Sequence, residues 1–149
     1  MNNNINNMNR LLSRLKENPQ YGVIVLRVGL ALVLVWFGTS QLYNPLDWTG
    51  FVPDMITQSI AAKMVVMLNG VVEILCSLLL FCGLGLRPVS FVMGLHLFGI
   101  AFSMVFTPAL MAIAVRDFGL AFAFIALCLL GPDRWTLDMF FARKMESSK

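Results

Sequence analysis

Charge and histidine are both scarce in this chain. Only 13% of its 149 residues are charged, against about 25% in a typical soluble domain, so a freely soluble globule is a poor description of it. A single histidine, His96, cannot supply the paired imidazoles of a di-haem cytochrome or a multi-histidine metal centre, and no metal site is expected. Three cysteines, Cys76, Cys82 and Cys128, form no CxxC pair, which removes the thiol-exchange engine of a disulfide oxidoreductase. No P-loop or GxGxxG fingerprint is present, and one histidine serves no convincing Ser/His/Asp arrangement. The net charge is +3, but no basic run interleaves with aromatics, so a nucleic-acid partner is not expected.

Apolar length is what the chain has instead. Four stretches, Tyr21–Tyr43, Met64–Leu84, Val89–Phe106 and Ala109–Leu130, are each about long enough to cross a bilayer as a helix. The expected fold is all-α, an integral membrane four-helix bundle. Four crossings put the amino tail, the 2–3 turn and the carboxyl tail on one side, with Arg10, Arg14, Lys16, Arg87, Arg134, Arg143, Lys144 and Lys149; the other side has Lys63. Positive residues favour the cytoplasmic face, so both termini are expected there, in a prokaryotic plasma membrane. The expected organisation is a cytoplasmic tail over 1–20, a four-helix domain over 21–138 and a cytoplasmic carboxyl tail over 139–149.

The connections carry their own signals. Met8, Leu11, Leu12 and Leu15 repeat at helical spacing among Arg10, Arg14 and Lys16, a pattern that suits either a helix lying on the anionic inner leaflet or a solubilising basic tail. Asn44-Pro45 ends helix 1, Gly83–Pro88 makes a tight turn, and Gly131-Pro132 stops helix 4 before Trp135, an interfacial anchor. Trp48, Phe51, Met55, Ile56 and Ile60 make the 1–2 loop too apolar for a solvated linker. That loop is expected to lie on the outer surface or fold over the bundle as a lid.

Five ionisable residues fall inside the spans: Arg27, Glu73, His96, Arg116 and Asp117. A charge at a helix centre in lipid costs roughly 2.5–3.5 kcal/mol, so these side chains must face each other, water or a ligand. At ~1.5 Å rise per residue, Arg27 lies about 9 Å, His96 about 10 Å and Glu73 about 16 Å from the inner boundary. Convergence of Arg27, Glu73 and His96 in the inner half is therefore expected. Helical spacing puts Asn69, Glu73, Cys76 and Ser77 on one face of helix 2, and His96, Gly99 and Ser103 on one face of helix 3. Helix 1 offers Arg27, Leu34 and Gln41, with Gly38 allowing close approach. Arg27, Asn69, Glu73 and His96 form a candidate headgroup or proton site; an Arg27–Glu73 ion pair that fixes helix register is the competing reading, as a hydrogen-bonded core histidine is for His96. At the outer end, Gln41, Arg116 and Asp117 form a second polar group, in which Arg116-Asp117 is buried if Ala109–Val115 is membrane-embedded and an interfacial cap if it is not.

Taken together, Arg27-Val-Gly-Leu, Trp36-Phe-Gly-Thr-Ser-Gln-Leu, Asn44-Pro45, Gly70-Val-Val-Glu73, Leu84-Gly-Leu-Arg87, Arg116-Asp117 and Gly131-Pro-Asp-Arg-Trp-Thr-Leu-Asp138 resemble the DoxX family over approximately Arg27 to Asp138. The resemblance implies a four-helix membrane bundle. It also implies a link to redox chemistry, since the family takes its name from a subunit of an archaeal quinone-linked thiosulfate oxidoreductase and other members are associated with oxidative-stress tolerance. The family's charged pattern falls on Arg27, Glu73, Arg87, Arg116, Asp117 and Asp138; where its G-x-x-K pattern carries lysine, this chain has Gln41. With no electron carrier evident, the expected role is a membrane subunit or anchor of a quinone-linked redox or oxidative-stress system rather than a stand-alone enzyme. No intrinsic cofactor is expected; a quinone is the candidate ligand, and membrane lipid and a redox protein are the candidate partners. A non-enzymatic scaffold or assembly factor is the alternative, and a small-solute or proton transporter the third.

Overall fold

The computed structural model describes residues 20–57 and 60–147; the basic, helically spaced amino-terminal segment lies outside them. Four long helices follow one another: α1 (Gln20–Tyr43), α2 (Ala62–Cys82), α3 (Leu86–Met104) and α4 (Met111–Leu130). All four are long and apolar enough to cross a membrane, with the fourth crossing extended to Pro108 by a 3-10 turn. Only about three residues in ten of each crossing are buried inside the bundle. Outward residues such as Val25, Trp36, Leu75, Phe102 and Leu129 are more than half exposed, which is the arrangement lipid, and not water, rewards.

Helix pairs α1–α2 and α3–α4 are the closest packed, with α1 also lying against α4. In the first pair Gly38 sits opposite Gly70 so tightly that a Cβ on Gly38 would stand 2.7 Å from the Gly70 carbonyl oxygen. Small residues let two backbones approach where no hydrophobic force drives helices together. The same antiparallel register brings Ser77 Oγ to donate to the Ala31 carbonyl at 2.9 Å. In the second pair Gly94 receives Ile125, and Phe98 meets Phe118 edge-on at 5.1 Å. Between the pairs, Leu30, Leu34, Leu80, Met93, Leu97, Phe124 and Leu127 fill the core.

Helix α3 starts at Leu86, three residues earlier than expected, because Arg87-Pro88 lies inside its first turn, where proline costs no hydrogen bond. Gly83 ends α2 at φ +66°, and a Cβ there would strike Thr136 at 2.6 Å. Asp138 closes this end: its carboxylate accepts from the Gly85 and Leu86 amides, both at 2.9 Å, and so caps α3 from a distant part of the chain.

One element adds to the expected outline and one departs from it. The carboxyl-terminal segment is helical as α5 (Leu137–Glu146), capped by Thr136 and carrying exposed Leu137, Phe140, Phe141 and Met145 beside Arg143 and Lys144. An apolar stripe flanked by basic residues is the pattern of a helix lying in the membrane interface. On α3, Gly99 and Ser103 face outward, not inward with His96. The buried face runs instead through Ser90, Met93, Gly94, Leu97, Ala101 and Met104, because close packing on α4 at Gly94 sets the rotation of the helix and leaves His96 at the edge of that face.

Candidate functional site

The α1–α2 loop opens as a 3-10 helix, Pro45–Phe51, with proline at its start, and continues into one helical turn, Asp54–Thr57. Trp48 is the keystone of this segment. Its ring meets Phe37 of α1 edge-on at 5.5 Å and Phe51 at 5.7 Å, and its indole Nε1 donates to Ser40 Oγ at 3.2 Å. The loop therefore folds across the end of the bundle. Beneath it lies a cavity of about 530 Å³, inside the range of small-molecule sites, roughly 300–1,000 Å³.

Every crossing helix contributes a wall. Leu34, Phe37 and Gln41 come from α1, Val66, Asn69 and Glu73 from α2, His96, Leu97 and Ile100 from α3, and Ile113, Arg116 and Asp117 from α4. Most of this lining is aliphatic or aromatic. The polar groups gather into a connected network. Asn69 Nδ2 donates to Glu73 Oε1 and to Gln41 Oε1, each at 2.9 Å, and Gln41 Nε2 donates to Glu73 Oε2 at 3.2 Å. Both oxygens of the buried Glu73 carboxyl are thereby satisfied by amide donors, as a buried acid requires. His96 Nε2 lies 2.6 Å from Asn69 Oδ1. On α4, Arg116 Nε donates to Asp117 Oδ1 at 2.8 Å, and its guanidinium lies 4.7 Å above the Phe37 ring, a cation–π distance.

Asn69, Glu73 and His96 thus share one cavity with Gln41, Arg116 and Asp117, joining what the spacing separates into an inner and an outer group. Arg27 is the exception. It makes no pair with Glu73: its Nε donates to Asp133 Oδ2 at 2.9 Å and its Nη1 to the Leu80 and Phe81 carbonyls at 2.8 and 2.9 Å. The physical reason is the chain after α4, which turns back at Gly131 and inserts Asp133 into the bundle end, 1% exposed, within reach of Arg27. Asp133 Oδ1 also accepts from the Trp135 amide at 2.9 Å, and Thr136 Oγ1 donates to the Asp133 carbonyl at 2.7 Å. Asp133 is the residue that sequence reasoning missed. Its signal was an acid inside the Gly131–Asp138 segment that carries part of the family resemblance, just beyond the last apolar run.

Fold and cavity together define an integral membrane four-helix protein with a capped, largely apolar cavity and a polar network built from all four crossings. The family model for DoxX matches residues 22–107, more than half of the chain, and the chain belongs to the DoxX family. Comparison with curated proteins and with solved structures gives no match.

Proposed function

We propose that this DoxX protein is the membrane subunit or anchor of a quinone-linked redox or oxidative-stress system, and that the cavity beneath the Trp48 loop receives the ring of the quinone. One observation carries the reading: a cavity of about 530 Å³ with mainly apolar walls holds a single connected polar cluster, Gln41–Asn69–Glu73–His96, faced by Arg116. A lipid-soluble ring bearing oxygen acceptors needs both components, apolar area for the ring and a few fixed polar groups for the oxygens. In this reading electrons pass to a separate redox protein. In a prokaryotic plasma membrane, the balance of positive residues favours both termini in the cytoplasm, which would put the cavity near the outer face.

Trp48 provides a direct readout. In a Trp36→Phe/Trp135→Phe background, saturable quenching of Trp48 fluorescence by a short-tailed benzoquinone is the expected result. Quenching that rises linearly without saturation would contradict it.

The scaffold reading draws on a different observation, the Arg27–Asp133 pair, which ties α1 to the chain beyond α4 well away from the cavity. A bundle that copurifies with a partner but never takes quinone would favour that reading. Transport is disfavoured by the packed core of Leu30, Leu80, Met93, Phe124 and Leu127, which fills the bundle beyond the cavity.

A further inference from the structure

The hydrogen bonds around Asn69 determine which ring nitrogen of His96 carries a proton. With Glu73 ionised both its oxygens are acceptors, and the orientation of Gln41 that gives its nitrogen to Oε2 turns its Oε1 to Asn69, so the Asn69 nitrogen points at Glu73 and Gln41 and leaves Oδ1 for His96. An amide oxygen only accepts, and therefore His96 Nε2 is the donor in the 2.6 Å bond. In the neutral ring Nδ1 is then a bare acceptor. It has no hydrogen-bond partner among the described residues, in a side chain that lines the cavity. Arg116 presents the complementary group. Asp117 holds its Nε and Phe37 lies under its face, while its two terminal nitrogens make no hydrogen bond among the described residues.

We infer that the cavity takes the hydroxyl-bearing, hydroquinone form of its ligand, with His96 Nδ1 accepting the hydroxyl proton and the Arg116 guanidinium compensating the negative charge left on the ligand. The inference rests on the cavity being the ligand site proposed above. The step is a single proton transfer: the ligand O–H bond breaks, an Nδ1–H bond forms, and a phenolate and an imidazolium result. The imidazolium keeps its Nε2–H bond to Asn69, whose amide nitrogen is bonded in turn to the Glu73 carboxyl, so the new positive charge faces an acid one amide away. The other charged groups around the cavity are Arg116 and Asp117 on α4 and Asp47 in the loop; α1 contributes the neutral Gln41.

A 2-alkyl-4-nitrophenol is a suitable probe, because its phenolate absorbs at longer wavelength than the phenol. The purified full-length protein is titrated at a pH where the free probe is protonated, in parallel with the benzoquinone titration on Trp48. Expected is a phenolate band on the wild-type protein; in His96→Gln, whose amide still donates to Asn69, the probe binds more weakly and its bound fraction, read by Trp48 quenching, is the phenol, while Arg116→Gln weakens binding of the probe. A probe bound as the phenol in both wild type and His96→Gln would overturn the proton-accepting role while benzoquinone binding still stood. If neither probe binds, the cavity reading fails and this inference with it.

Discussion

Arg27 and Asp133 show how a buried charge survives in lipid. Each is almost fully enclosed, and between them they make hydrogen bonds to a carboxylate, two terminal carbonyls of α2 and the Trp135 amide. Removing one member leaves the other buried without its partner, which typically costs 3–5 kcal/mol. Arg27→Met is expected to lower unfolding stability in detergent by about that much, and the double substitution Arg27→Met/Asp133→Leu to recover part of it; unfolding titrations followed by circular dichroism measure both. Asn69 is the hub of the second network. Asn69→Leu strips donors from Gln41 and Glu73 and the acceptor from His96, with an expected destabilisation of about 1–3 kcal/mol and loss of saturable quinone quenching in the same preparation. The presence of Glu73, Asn69 and His96 on facing helices was legible, because ionisable residues in apolar runs have few places to go. Arg27's partner was not legible. Asp133 lies outside every apolar stretch, and only the reversal of the chain at Gly131 carries it inside.

Helix identity was the most legible level, since unbroken apolar length and the Asn44-Pro45, Gly83–Pro88 and Gly131-Pro132 breaks bound the crossings everywhere except between helices 3 and 4, where the start of the last helix stayed open. Helix rotation was less so. On α3 almost every side chain is apolar, and the sequence contains no strong polar stripe to orient it; the Gly94–Ile125 contact does so instead. The small-residue contacts can be tested by contrast. Gly70→Ala puts a methyl 2.9 Å from the Gly38 carbonyl oxygen, a backbone atom that cannot yield without separating the helices. An expected cost of about 1–3 kcal/mol follows. Gly99→Ala meets nothing within 4 Å and is expected to be stabilising by roughly 0.5–1 kcal/mol. Equal effects in the same unfolding assay would show that the α1–α2 crossing is looser than described.

For the whole molecule, the two ends of the bundle do different work. One end is closed by Arg27, Asp133, Thr136 and Asp138, which bind α1, α2 and α3 to the segment after α4; the other holds the cavity and its Trp48 cover. The distribution of basic residues predicts that the closed end faces the cytoplasm. Carboxyl-terminal fusions should therefore be fluorescent with a cytoplasmic reporter and inactive with an enzyme that matures only outside; the reverse pattern would invert the orientation. A polar site and a loop able to cover the bundle end were legible in the apolar 1–2 loop and the intramembrane polar residues, but the single cavity that joins Asn69, Glu73 and His96 to Gln41, Arg116 and Asp117 was not, because depth along each helix does not give the packing between helices.

The most direct measurement is extraction of the protein from its native membranes in mild detergent, with quantification of bound quinone by mass spectrometry, beside a Leu97→Trp variant whose indole fills the cavity. The account predicts quinone in near-stoichiometric amount on the native protein and little on the folded variant. A quinone-free native protein, or equal quinone on both, would contradict it.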